Sequence, residues 1–536
     1  MEKHRKQTFL EGTLVLTAAG LIVKLLGALY RIPLSRLIQG EGMGLYQMAY
    51  PIYVTLLSIS TAGLPTAISK MVAERRALNN PRGAYRVFKV SLLILTTIGI
   101  IFSATLLLGA RFIAEKIIAN PEAFYPLVSI APAIFFVSIM SAYRGFFQGM
   151  QNMIPSAVSQ VVEQVGRVAA VFILVIILMP KGVKYAAAGA AFGPVVGAIM
   201  GLIILLVIFQ RKKSFIMNEI ANDRTIKQES ILSIVYQLFA FAVPITLGGL
   251  IIPIMNLADT AIVNRRLLVA GFSVEQATTL FGYLTGMAGP LVNLPPILTI
   301  ALAASLVPAI SESIARKNHR LVVSKVTTGI RLTIIFGLPS SIGLYLLATP
   351  ICEMLYDNPE AGVPLSVLAF GVIFLTLNQT SAGILQGTGR TMVPVKNLLM
   401  GAIVKVVLNF TLTGIPAINI RGAAIGTVGG YLVASMLNVM AVNRYIGINM
   451  NLKQMIIKPL IAVASMGIAV LFTYDRALAL LGSNTLATLS AISIGGIIYV
   501  LMLLSIGGIS EKDLELIPRW GPVIARILSK IGITRG

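Results

Sequence analysis

Apolar residues run through this chain in long uninterrupted blocks separated by short polar stretches. The blocks fall at 12–34, 44–69, 87–110, 123–146, 155–179, 185–209, 231–258, 279–310, 326–348, 362–386, 394–414, 421–443, 454–474 and 486–508. Each is long enough to cross ~30 Å of hydrocarbon as a helix. The two-residue alternation of half-buried strands is not the pattern here. The blocks predict an all-α polytopic membrane protein with fourteen transmembrane helices.

Composition agrees. Hydrophobic residues make up 56% of the 536 and charged residues only 12%, with a mean hydropathy of +0.87. Soluble domains carry about 25% charged residues. The formal charge of +23 could point to nucleic acid, but topology explains it. With the N-terminus placed in the cytoplasm and sides alternating, cytoplasmic segments hold 30 of the 43 Lys and Arg and outer loops 10; the other three, Lys24, Arg167 and Lys405, fall inside spans. That bias is the positive-inside pattern and puts both termini in the cytoplasm. The most basic loops are 70–89 and 211–229. The stretch 509–536, with Trp520, is too polar to span and reads as an amphipathic helix on the cytoplasmic interface. No small-residue cleavage site follows the first block, so no removed signal peptide is expected. Cys352 is the lone cysteine and His4 and His319 lie in loops. With no HExxH, GxSxG or phosphate-loop motif, neither a catalytic residue, a metal site nor a cofactor is expected.

The octapeptide NPEAFYPL at 120–127 returns as NPEAGVPL at 358–365, an offset of 238. Extended without gaps to thirty positions, eleven agree, including Gly145 with Gly383, Gln148 with Gln386 and Gly149 with Gly387. LPTAISKMVAE at 64–74 echoes LVPAISESIAR at 306–316, and GAAFG at 189–193 echoes GAAIG at 422–426. Glycines then recur every four residues at 189, 193, 197 and 201, and at 422, 426 and 430 before Ala434. Such ridges let helices approach closely in lipid. Six spans separate the two NPEA loops, so both copies face the same side. The halves are parallel six-helix repeats, one of the two repeat classes of secondary transporters, which open a central site to alternate sides by rocking. NPEA itself reads as a helix start: Asn120 and Asn358 can cap, Pro suits the first turn, and Glu122 and Glu360 favour the positive end. The expected organisation is an N-lobe at 1–210, a cytoplasmic linker at 211–230, a C-lobe at 231–445, two added helices at 446–508 and the tail at 509–536.

Charges inside spans mark candidate chemistry, because each costs roughly 2.5–3.5 kcal/mol at the bilayer centre. Lys24 lies in the first span, with Arg31 and Arg36 near its outer end. Glu163 and Arg167 lie four residues apart in the fifth, on one helix face, where they can pair. Lys405 sits mid-span in the eleventh, and Asp259 at the outer end of the seventh. Two readings stand. The charges neutralise one another within the protein, or they line a hydrated cavity whose excess of cations matches an anionic substrate, with Arg as a planar fork and Lys as a mobile point charge. The prolines at 51, 65, 244, 253, 290, 295 and 296 are expected to bend helices.

The opening, QTFLEGTLVLTAAGLIVKLLGALYRIPLSRLIQGEGMGLYQMAYPIYVTLLSISTAGLPTAISKMVAE, resembles the first two helices of the polysaccharide-biosynthesis branch of the MOP flippase superfamily, and most closely its stage V sporulation protein B, YtgP and MurJ-like members. The EG-x-GLYQ element and the GLPTAISK turn carry the likeness, and the fourteen-helix plan fits essentially the whole chain. The resemblance implies a flippase in the bacterial cytoplasmic membrane, not an enzyme. Its implied substrate is a polyprenyl-pyrophosphate-linked sugar, lipid II above all, and membrane lipids and cell-wall synthesis proteins are its implied partners. One chain supplies both lobes, so a monomer is expected. The resemblance also implies that Lys24 and Arg31, flanking Gly27, line the cavity and engage pyrophosphate. Departures are visible: the second helix reads GLYQMAY and LLSISTAGLP, without charge, and the eighth reads FGYLTGMAGP, without a basic residue. Relatives reset with sodium or membrane potential. Here the residues at the matching helices are Asp259, Lys405 and Asn409, and the Lys405 ammonium is expected to stand in for a bound cation. Two alternatives remain, a MATE-type cation-coupled drug exporter and a flippase for another polyprenyl-linked polysaccharide precursor.

Overall fold

A computed structural model describes residues 9–61, 63–223, 229–447 and 453–508, with side chains from residue 15 onward. The interfacial tail expected over 509–536 and part of the linker expected over 211–230 lie outside the described residues. Among the described residues every regular element is helical. Among the described residues twelve stretches are long and apolar enough to cross a membrane, or thirteen if the pair Pro359–Ala369 and Gly371–Gly387, bent by 47°, forms one span. The protein is a multi-pass membrane protein. Fourteen spans were expected. The difference has two sources: the first two expected spans fall in one stretch, Val15–Ala77, of 63 residues, and the tenth is the bent pair. It holds α1 (Phe9–Leu29), α2 (Arg31–Thr61) and α3 (Leu64–Ala77), with a non-helical kink at Gln39 inside α2.

The chain divides into two compact units, Met1–Leu268 with Phe272–Gly282, and Val269–Gly271 with Tyr283–Gly536. This division by packing falls some fifty residues beyond the repeat-based linker at 211–230. The first unit continues from α3 with α4 (Pro81–Phe112), α5 (Pro132–Gly149), α6 (Ile154–Leu178), α7 (Val183–Ala221), α8 (Ile231–Gly249), α9 (Ile251–Val269) and α10 (Val274–Gly282). Local chemistry sets the starts. Asn80 accepts from the Gly83 amide just before Pro81, the arrangement of a capped helix with proline in its first turn. Of the prolines expected to bend helices, Pro51 and Pro244 do lie inside them, whereas Pro65 and Pro296 open them instead. Each of those two occupies a first-turn position, whose amide has no intrahelical partner to lose.

Packing, not sequence order alone, holds α8 to α10 in the first unit. The Gly63 amide donates to Thr246 Oγ1 at 3.1 Å, and Thr55 Oγ1 to the Pro253 carbonyl at 3.2 Å. Asn264 donates to the Ile118 carbonyl at 2.8 Å, and Asn120 to Thr278 Oγ1 at 2.7 Å, both buried. The tightest approach joins α2 and α10. A Cβ on Gly44 would strike the Thr278 carbonyl, and one on Gly282 the Gly40 carbonyl. The EG-x-GLYQ element is thus a backbone crossing, open only to residues without a side chain.

The second unit contains α11 (Pro296–Ala315), α12 (His319–Leu346), α13 (Gly371–Gly387), α14 (Met392–Leu412), α15 (Ile420–Ile446), α16 (Lys458–Leu481) and α17 (Asn484–Ser505). Its first five helices repeat the packing of the first unit. A Cβ on Gly149 would meet the Ser69 carbonyl and Val72, and one on Gly387 the Val307 carbonyl and Ile310. Those partners are again 238 residues apart. The LPTAISK echo, with its offset of 242, is therefore displaced by one helical turn from the contact register. The helix-start reading of NPEA divides between the copies. Asn120 caps, accepting from the Glu122 amide at 2.9 Å. Asn358 makes no cap bond; its Nδ2 donates to Tyr283 Oη at 3.2 Å, as Asn120 Nδ2 does to Thr278 Oγ1. Both copies follow a residue held left-handed, Ala119 (φ 60°) and Asp357 (φ 55°), a shared turn the side chains do not announce. Cys352, in the short helix Ala348–Tyr356, is fully buried, and burial pushes its thiol up to about 12.

Gly282→Val should lower the thermal unfolding midpoint of the purified protein in detergent, by the equivalent of about 2 kcal/mol or more, since a side chain there meets backbone that cannot rotate away. Gly343→Ala, with nothing within 4 Å of the added carbon inside α12, should leave the midpoint unchanged or raise it by the roughly 0.5–1 kcal/mol of helix propensity. Equal effects of the two would show that the α2–α10 crossing is not tight.

Candidate functional site

The polar face of α6 carries Ser159, Glu163 and Arg167 at four-residue intervals, one above the other. The glycine ridge of α7 lies directly against it. A Cβ on Gly197 would strike the Glu163 carbonyl and stand 3.0 Å from Arg167 Cβ; one on Gly201 would stand 3.2 Å from Glu163 Cβ. Close approach of α7 therefore fixes the backbone beneath both charged residues.

Glu163 uses both oxygens. Oε1 accepts from Arg167 Nη2 at 2.8 Å and Oε2 from Arg144 Nη2, on α5, at 2.9 Å. Arg144 Nε also donates to Ser159 Oγ at 2.9 Å, and that hydroxyl donates on to the Ser156 carbonyl at 2.8 Å. The three charged side chains are only 14–16% exposed. Two guanidinium groups share one carboxylate, so the triad carries one net positive charge. Arg167 Nε is buried and finds no acceptor among the described residues, which leaves a donor over.

A run of tyrosines extends the cluster along α2. Tyr46, Tyr50 and Tyr53 share a face, with ring centroids 5.7 and 5.9 Å apart, and Tyr46 Oη lies 3.2 Å from Tyr30 Oη. Arg31 sits in electrostatic reach of Tyr30, Tyr46 and Tyr50, and Arg167 of Tyr50, Tyr53 and Tyr30. Tyr30 and Tyr50 are common to both. Arg31, partly buried, thereby joins the same polar seam as the triad. Gly27 faces Gln164, placing α1 against α6, and Lys24 is exposed one turn earlier. Arg36 is exposed on α2, between Arg31 and Tyr46 in sequence. Asp259 is half-buried on α9 in the first unit, while Lys405 and Asn409 are buried on α14 in the second.

The second unit repeats the scaffold without the acid. A Cβ on Gly430 would stand 2.9 Å from Lys405 Cβ, and one on Gly426 3.0 Å from the Lys405 carbonyl, as Gly197 and Gly193 stand to Arg167. Lys405 is thus the structural counterpart of Arg167 at the same offset of 238. At that offset Gly401 answers Glu163 and Ala382 answers Arg144. An asparagine chain occupies the neighbouring polar positions: Asn397 donates to Asn438 at 2.8 Å, and Asn438 to Asn378 at 2.8 Å.

The sequence pairs Glu163 with Arg167 but does not bring in Arg144, Ser159 or the tyrosines. Their signals are present. Arg144 is the one position of the thirty-residue repeat where a charge stands against an alanine, and the tyrosines keep helical spacing in α2. Chemically, the seam offers planar guanidinium forks and phenol hydroxyls in an apolar setting, a set suited to phosphoryl or carboxylate oxygens. Among the described residues no group of His, Cys, Asp and Glu could hold a metal ion.

A family model described as polysaccharide biosynthesis protein matches residues 9–314, and a MatE model matches 244–411. Stage V sporulation protein B of Bacillus subtilis (strain 168) is 32% identical over 525 residues, covering 97% of this chain and 100% of that one. Lipid II flippase MurJ of the same organism is 30% identical over 479 residues, covering 86% and 87%. Among solved structures, a lipid II flippase MurJ in an inward closed conformation shares the fold with a TM-score of 0.64 at 15% identity, over 91% of this chain and 98% of that one.

Ser159→Ala should cost about 1.5 kcal/mol of stability, because it strips a buried guanidinium nitrogen of its acceptor. In an Arg144→Met background the same change should cost less, with a coupling of at least about 0.5 kcal/mol in a double-mutant cycle read from thermal unfolding. Additive costs would show that the Arg144–Ser159 bond is not formed.

Proposed function

The chain belongs to the polysaccharide biosynthesis protein family of the MOP flippase superfamily, a transporter and not an enzyme, and from that premise we propose that it flips lipid II, the undecaprenyl-pyrophosphate-linked peptidoglycan precursor, across the bacterial cytoplasmic membrane. The observation that carries this reading is the excess of guanidinium over carboxylate in the seam of Arg31, Arg144, Glu163 and Arg167. Cations kept at such depth are expensive unless something anionic compensates them. A pyrophosphate supplies that compensation, and the fork geometry of arginine suits its oxygens. The hydrocarbon tail of such a substrate stays in the bilayer while the head group crosses. Lys24, exposed at the α1 end of the seam, is the proposed point of first contact. The two repeat halves alternate in opening, and both termini face the cytoplasm, in keeping with the distribution of Lys and Arg across the loops.

The MatE match over 244–411 raises a drug exporter as the second reading. Exporters of cationic drugs need buried acids, and the seam holds one acid for three arginines, which disfavours it. A flippase for another polyprenyl-linked glycan shares all of this chemistry and differs only in the sugar.

In a bacterium depleted of its own lipid II flippase, this chain should restore growth. Lys24→Ala and Arg167→Ala should reduce rescue at least tenfold in plating efficiency at equal membrane levels, followed with a green fluorescent protein fused after Gly536, which also reports a cytoplasmic C-terminus by its fluorescence. Full rescue by both variants would remove the cationic seam from the mechanism, and a dark fusion would overturn the orientation. Coupling has its own test. Lys405 takes the place of a bound cation in the proposal, so transport into vesicles at fixed membrane potential should change less than twofold between sodium and choline buffers. A strong sodium dependence would sink that role for Lys405, Asn409 and Asp259.

A further inference from the structure

Glu163 holds an arrangement that a phosphoryl group could take over. Its two oxygens bind two different guanidinium groups, from α5 and from α6, at 2.9 and 2.8 Å. The backbone under it is clamped by Gly197 and Gly201, so movement is left to the side chain. The site is one acceptor short, since Arg167 Nε is buried and has no partner among the described residues. A carboxylate offers two oxygens; a phosphoryl group offers three. Structural neutralisation alone would call for the same pairing in both repeats, yet Gly401 occupies the equivalent place beside Lys405.

We propose that Glu163 is an exchangeable internal ligand: it occupies Arg144 and Arg167 while the site is empty, and a phosphoryl group of the substrate displaces it. This rests on the proposed pyrophosphate substrate and names how that substrate is held and let go. The incoming group takes the two guanidinium contacts and adds an acceptor for Arg167 Nε. The displaced carboxylate stays tethered within one side-chain length, at high effective concentration. It therefore competes for the same guanidinium groups throughout the bound state. Binding is weakened by that competition, and release is hastened by it. A site with arginines alone would bind a diphosphate tightly and turn over slowly, the familiar penalty of holding the ground state too well. The chemical class is a diphosphate ester or free diphosphate. A neutral glycan or a cation gains nothing from the exchange.

The test is an affinity measurement on Glu163→Gln in lipid nanodiscs, with undecaprenyl diphosphate as one probe and inorganic diphosphate as the other. Gln keeps the size and removes the competing charge, while both arginines stay charged at any accessible pH. Binding should tighten at least fivefold, and flipping turnover in the same preparation should fall. Tightening with inorganic diphosphate as well assigns the gain to the phosphoryl contacts; tightening with the lipid alone places the polyprenyl chain in the same site. Unchanged or weaker binding by a monodisperse variant overturns the exchange. If Glu163→Gln does not give monodisperse protein, Glu163→Asp decides. Its shorter side chain cannot span both guanidinium groups, so binding between wild type and a fivefold gain is expected, and wild-type affinity overturns the proposal. Should the wild-type protein bind neither probe, the diphosphate substrate itself is wrong. Wild-type binding without tightening in the variants removes the exchange alone.

Discussion

A carboxylate held between two guanidinium groups inside an apolar helical bundle is the constraint on which the first unit turns. Charge so placed must be met within hydrogen-bond distance, because lipid and packed side chains cannot solvate it. Glu163 meets Arg144 and Arg167 at such distances only because α6 is drawn tightly to α7. Any side chain in place of Gly197 would part the two helices and change the geometry of the triad. The glycine ridge and the charged cluster are therefore one feature seen from two sides: small residues on one helix are the condition for large charged residues on the next.

The repeat shows what is scaffold and what is specialised. Helix pairs α6–α7 and α14–α15 meet along equivalent ridges, and α3–α5 and α11–α13 meet at glycines with partners 238 residues apart. On that common frame the two halves carry different chemistry. The first has arginine, glutamate and tyrosine; the second has lysine and a chain of three asparagines. Amides can neither supply nor balance a full charge, so only the first half sets a carboxylate among its cations at these positions.

Much of this was legible in the sequence because its signals are periodic. Hydrocarbon thickness imposes a block length, lipid imposes small-residue ridges, and duplication imposes an offset, and each is read by counting. The pairing of Glu163 with Arg167 was readable for the same reason, since both lie on one helix four residues apart. What was not readable depends on contacts between helices distant in sequence. Arg144 reaches Glu163 from another helix, nineteen residues away, and no spacing rule announces it. The bond from Asn358 to Tyr283 likewise reaches seventy-five residues upstream. The boundary between the first two spans has a third character: it is a backbone kink at Gln39, inside α2, and the glycines that follow it lie against α10 and their own helix.

Cys352 carries a practical consequence. The chain has a single thiol, and it is buried in a short helix at the start of the second repeat's NPEA turn, in surroundings that disfavour its thiolate. Since only the thiolate attacks disulfides and maleimides, the native protein presents the outside world with no reactive sulfur. Spin labels or fluorophores attached to two introduced cysteines can therefore report the distance between the repeats throughout a transport cycle, with the natural sequence otherwise intact.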